Sequence, residues 1–62
     1  MLDAVQALMR RDDITKSEAQ SVVNEAKRCV LEAVERGDFF EADDLWGDLT
    51  GLEPDYLEME LL

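Results

Sequence analysis

The chain has 62 residues, 47% of them hydrophobic and 35% charged, a length that admits one small domain and no second one. Sixteen Asp and Glu against six Lys and Arg give a formal net charge of -10, which argues against a site that binds nucleic acid through its phosphates. Because the chain has no histidine and a single cysteine, most metal ligands, general bases and triad partners are missing, and we expect residues 1–62 to form one acidic domain that is not an enzyme and binds no cofactor or metal.

The first predicted helix spans about residues 2–10. Asp3 is a candidate N-cap, since its carboxylate can accept a hydrogen bond from an amide of the first turn. The apolar residues of this segment recur at helical spacing: Leu2, Val5, Leu8 and Met9. The segment Arg11-Asp12-Asp13 has no apolar residue and predicts a hinge before the next helix.

The central helix, about residues 15–36, has the clearest pattern in the chain. Thr15 and Glu18 form the sequence of a capping box, and Gly37 is placed to end the helix in the left-handed conformation. Small apolar residues recur at three- and four-residue steps between these ends: Ala19, Val22, Val23, Ala26, Cys29, Val30, Ala33 and Val34. Such a stripe lets another helix approach closely, so larger side chains must come from the other helices.

The third predicted helix spans about residues 39–50. Asp38 and Glu41 repeat the capping pattern at its start, and Gly51 is placed to end it. Its predicted core residues are Phe39, Ala42, Leu45, Trp46 and Leu49.

The last predicted helix spans about residues 54–61. It begins at Pro54, which is tolerated in a first turn, and Asp55 there favours the positive end of the helix dipole. The alternating apolar residues over 57–61 also fit a strand, but no other segment offers a strand to pair with. The four segments together predict an all-α fold, a small bundle of three to four helices.

Charge is unevenly distributed along the chain. Residues 1–37 hold seven acidic and six basic residues, whereas residues 38–62 hold nine acidic residues and no basic one. Glu41, Asp44 and Asp48 fall on one face of the third helix, with about 5–6 Å between neighbours. This anionic face suits imitation of a nucleic acid strand; the alternative is that the carboxylates only keep a small protein soluble.

Two large apolar residues do not fit the predicted core. Leu31 lies roughly 130° from the centre of the central stripe, and Phe40 lies opposite the apolar face of the third helix. Exposed apolar side chains beside charged ones are typical of interface anchors, although the chain termini are an alternative cover for both. The candidate partner-binding residues are therefore Leu31, Phe40, Glu41, Asp44, Asp48, Asp55, Tyr56 and Glu58.

Three short stretches carry a resemblance to other proteins: Thr15-x-x-Glu18-Ala19, Gly37-Asp38 and the GLEPDYL segment over 51–57. Over about residues 14–57 the chain resembles short acidic helical proteins encoded by bacteriophages and integrated mobile elements. The resemblance implies a bacterial cytoplasm, a small accessory gene and a protein that works by binding host or phage machinery. A lone cysteine, with no internal disulfide, fits the same reducing compartment.

Two functions follow as expectations. The first is a non-enzymatic inhibitor or modulator whose residues 38–62 bind a protein partner with a basic surface, with no direct nucleic acid contact. The second is a homo-oligomeric helical module, a homodimer for instance, for assembly or regulation, in which the small-residue stripe and the first helix pair between copies. No membrane contact is expected, because the longest apolar runs have only three residues.

Overall fold

Four helices make up the fold in a computed structural model that describes residues 3–61. They are α1 (Ala4–Asp12), α2 (Lys16–Glu35), α3 (Phe39–Thr50) and α4 (Pro54–Leu61). The all-α bundle is as predicted, and α2, α3 and α4 begin and end within about one residue of their predicted bounds. α1 begins at Ala4, two residues later than predicted, because Asp3 is its N-cap; Leu2, expected in the first helix, lies outside the described residues.

The predicted hinge after α1 is shorter than expected. Arg11 and Asp12 belong to the helix, which ends at Asp13 in the left-handed conformation (φ 52°). Basic residues in the last turn of α1 interact favourably with the negative end of the helix dipole, so the helix continues through them. The prediction of a hinge over residues 11–13 was therefore wrong for its first two residues.

Side chains cap the first two helices. In α2, the amide of Glu18 donates to Thr15 Oγ1 (3.1 Å) and the amide of Thr15 donates to Glu18 Oε1 (3.4 Å), which confirms the predicted capping box. In α1, the carboxylate of Asp3 accepts from the amide of Gln6 (2.8 Å), and the amide of Asp3 donates to Gln6 Oε1 (3.2 Å). Orphan amides at both helix starts are thereby satisfied.

Removing the cap of α2 should weaken the fold measurably. We expect Thr15→Ala to lower the free energy of unfolding by about 1 kcal/mol, because the amide of Glu18 loses its acceptor. Urea denaturation followed by far-UV circular dichroism measures the change. Ser17→Ala, an exposed change in the same turn, is the control and should shift stability by less than about 0.5 kcal/mol. Equal effects of the two substitutions would contradict the capping role.

The connection between α2 and α3 is tight. The amide of Gly37 donates to the carbonyl of Val34 (3.0 Å), and the amide of Asp38 donates to the carbonyl of Ala33 (2.9 Å). With Gly37 at φ 83°, this is a Schellman motif, and it ends α2 at the predicted glycine.

The predicted capping box at Asp38 and Glu41 is wrong. The side chain of Asp38 makes no capping hydrogen bond, and its amide is already donated to the end of α2. Both carboxylates turn instead towards Arg36, whose guanidinium lies 3.6 Å from Asp38 and 3.7 Å from Glu41. The amide of Asp38 donates to the carbonyl of Ala33, so it cannot also donate to the Glu41 side chain as a capping box requires.

The core is built around the small-residue stripe of α2 and the indole of Trp46. The buried residues of the stripe are Ala19, Val23, Ala26, Val30 and Ala33, each at most 1% exposed. Trp46 is fully buried against them, and the indole Nε1 donates to the carbonyl of Glu53 (3.1 Å). These five residues of the stripe are thus covered within one chain.

Thr50 completes the link between α3 and α4. Its hydroxyl donates to the carbonyl of Trp46 (2.6 Å) and accepts from the amide of Leu52 (3.1 Å). Gly51, left-handed at φ 69°, ends α3 where the sequence predicts.

Among residues 3–61, no helix combines the length and the apolar character that crossing a membrane requires.

Three residues predicted for the apolar faces that form the core are exposed instead, among them Val34 of the small-residue stripe, which is 38% exposed. Phe39 is 64% exposed and Leu49 is 42% exposed. Phe39 has the helical angle of a core residue, but it stands in the first turn of α3, where its ring faces an open groove. Leu49 lies beside Val22 on a side of the α2–α3 pair that no other described helix covers.

Candidate functional site

The outer face of α3, defined by Phe40, Glu41, Asp44 and Asp48, contains half of the residues expected to bind a partner. All four are exposed, and Phe40 is the most exposed large apolar residue of the described chain, at 93%. The buried residues of α3 lie on the other side, because successive helical residues are 100° apart. The structure therefore places an apolar side chain and a row of carboxylates on one surface.

Few cations neutralise the acidic half of the chain. Arg36 pairs with Asp38 and Glu41, and Lys27 lies 3.8 Å from Glu60. The other carboxylates of the outer face form no ion pair with a basic side chain of the described chain. The outer face therefore keeps a negative potential that attracts a cationic surface.

The other predicted partner-binding residues do not join the outer face. Asp55 is exposed in the first turn of α4, whereas Tyr56 is half-buried against the core and offers only part of its ring. Leu31, 47% exposed, lies one turn before Val34 on α2, and Glu58 of α4 lines the same groove as Val34. The predicted set therefore does not form one continuous surface.

An apolar groove between α2, α3 and α4 is the second surface, and it is not among the sites predicted from sequence. Its volume is about 300 Å³, and its lining includes Val34, Phe39, Leu57 and Leu61 together with the carboxylates of Asp43 and Glu58. The one sequence signal is that Val34 and Phe39 flank the turn between α2 and α3. Because α2 ends and α3 begins at this turn, neither helix extends far enough to cover these two side chains of the other.

A larger cavity, about 550 Å³, lies between α1, α2 and α4. Most of its polar side chains are already engaged, Asp3 and Gln6 in the cap of α1 and Glu60 with Lys27. Within residues 3–61, no three acidic or cysteine side chains come together where they could hold a metal ion.

The titrating groups with shifted pKa values lie outside both surfaces. Two hydrogen bonds of 2.8 Å from Arg11 lower the pKa of the Asp12 carboxyl and raise the pKa of Arg11. On α2, the hydrogen bond to Glu25 and the charge of Glu32 raise the pKa of Arg28. All of these side chains are exposed, so they form surface ion pairs of small energetic effect.

Comparison with known proteins adds no relative. The chain matches no model of a protein family, no curated protein and no solved structure.

Proposed function

We propose that this chain is a non-enzymatic protein-binding protein whose acidic C-terminal half engages a basic surface of a host or phage protein. Its role would be that of an inhibitor or modulator of phage or mobile-element type, acting in the bacterial cytoplasm. The observation that carries the proposal is the outer face of α3, where Phe40 is 93% exposed beside Asp44 and Asp48, two carboxylates that form no ion pair with a basic side chain of the described residues. Such a combination supplies electrostatic steering and an apolar anchor.

The spacing of the carboxylates supports nucleic-acid mimicry as the mode of binding. Glu41, Asp44 and Asp48 are three and four residues apart on one helix face, so their side chains form a row of negative charges. A protein groove that binds phosphates presents clustered Lys and Arg, which would meet this row in the same way.

The homo-oligomeric alternative has less support. That alternative needs the small-residue stripe to pair between copies, but five of its eight residues are already buried by the chain's own helices. A second copy would have to use other surfaces, and the two acidic halves would repel each other if they met.

Capture from a bacterial lysate tests the proposal. The immobilised protein should retain a partner at low salt and release it at high salt, since screening weakens contacts between opposite charges. A second column carries Asp44→Lys together with Asp48→Lys, and we expect it to lose the same partner. A third carries Glu25→Lys with Glu35→Lys, an equal charge change on the exposed side of α2.

The three columns separate binding from solubility. A partner held by the wild type and the α2 variant, but lost by the α3 variant, supports recognition by the outer face. If all three columns retain the same proteins, the carboxylates serve only to keep the chain soluble.

A further inference from the structure

The apolar groove leaves large side chains open to solvent. Val34 is 38% exposed, Leu61 is 46% exposed and Phe39 is 64% exposed, and all three line the same groove. Leu31 extends this strip by one turn along α2. Contiguous apolar surface on a small protein is typical of a site where another molecule docks.

The charges at the groove identify what kind of molecule fits. Asp43 and Glu58 supply carboxylates among the apolar lining, and the segment 38–62 that forms two of the three walls contains no basic residue. An occupant with Lys or Arg at its edges would meet opposite charge on both sides.

A second copy of the chain is a poor occupant. In a symmetric dimer the same patch meets itself, so Asp43 and Glu58 of one copy would face the identical carboxylates of the other. Like charges brought together at an interface are unfavourable, and no basic residue of 38–62 is present to relieve them.

We propose that the apolar groove binds a basic amphipathic helix of the protein partner. Apolar side chains of that helix at positions i, i+3 or i+4, and i+7 would enter the groove, where Phe39 and Leu61 are uncovered. Its Lys and Arg residues would lie over Asp43 and Glu58. This inference rests on the proposed function, because it names the part of the basic partner that makes the apolar contact.

A designed helical peptide serves as the probe. It has about 14 residues, with leucines at helical spacing on one face and lysines elsewhere, and binding of its labelled form is followed by fluorescence anisotropy. We expect Phe39→Ser to weaken binding about tenfold, since the peptide loses burial against one large side chain. Leu49→Ser is the matched control, because Leu49 is also an exposed apolar residue of α3 but lies outside the groove.

Two further variants keep the test independent of folding. Leu61→Ser changes the last turn of α4 alone and should weaken binding as Phe39→Ser does, while Asp43→Lys should weaken it through charge. Circular dichroism verifies that each variant remains helical. A scrambled peptide with the same composition should bind less tightly to the wild type, because its leucines do not share one face.

The inference is overturned if Phe39→Ser, Leu61→Ser and Leu49→Ser all bind the peptide equally well. It is also overturned if the groove variants abolish self-association of the wild type in sedimentation, because a second copy would then be the occupant. Failure here is distinct from failure of the proposed function. If capture of a partner depends on Asp44 and Asp48 but not on Phe39, the groove is not a binding site, whereas recognition by the outer face of α3 still stands.

Discussion

Replacing Trp46 by alanine should remove most of the stability of this domain. We expect Trp46→Ala to lower the free energy of unfolding by about 3–5 kcal/mol, the usual cost of a large cavity in a core. The indole is fully buried, and its Nε1 holds the carbonyl of Glu53 at 3.1 Å, so the substitution also leaves that carbonyl without its donor. A chain this short has little stability in reserve, and the variant should be largely unfolded.

Urea denaturation followed by far-UV circular dichroism measures this effect, since fluorescence is lost with the sole tryptophan. Trp46→Phe separates packing from hydrogen bonding, because it keeps an aromatic ring but loses the bond to Glu53; we expect a loss of about 2 kcal/mol. Phe40→Ala, at a 93% exposed position, should change stability by less than about 0.5 kcal/mol. If Phe40→Ala were as costly as Trp46→Ala, the indole would not be the centre of the core.

Reversing two charges on α3 should slow capture of the partner. We expect Asp44→Lys with Asp48→Lys to reduce the association rate about tenfold or more at low salt, because the negative potential of the outer face of α3 steers the encounter with the partner. The dissociation rate should change less, since apolar anchors such as Phe40 govern release. Surface plasmon resonance with the captured partner gives both rates.

The matched variant Glu25→Lys with Glu35→Lys separates local from overall charge. Both double variants change the net charge equally, but only one alters the outer face of α3, so the α2 variant should associate nearly as fast as the wild type. High salt should erase the difference between them. Equal slowing by both would assign the effect to net charge alone.

The course of α2 could be predicted from sequence because local signals agree there. Thr15 and Glu18 cap the start of α2 and Gly37 ends it, each through hydrogen bonds to residues nearby in sequence, and the structure confirms these roles. The pattern at Asp38 failed for a related reason. Asp38 lies both at the end of α2 and at the start of α3. The sequence does not show whether its amide donates to a carbonyl of α2 or to a side chain of α3.

Exposure was harder to predict than helix bounds. Helical angle correctly placed Phe40 on the outside, since that direction points away from every other helix. The same angle placed Phe39 and Leu49 in the core, but burial also requires another helix to reach them, and α4 has only eight residues. The apolar groove exists because α4 is too short to cover Val34 and Phe39, and the position of these two residues on either side of the turn is the one local signal of it.

The three-residue connection between α2 and α3 has a consequence for folding kinetics. It makes the largest interface of the bundle, that between α2 and α3, a contact between helices that follow each other in sequence. Closing such a short loop costs little entropy, and folds dominated by local contacts form within microseconds to milliseconds. We expect this helical hairpin to form the folding nucleus, with α1 and α4 docking afterwards.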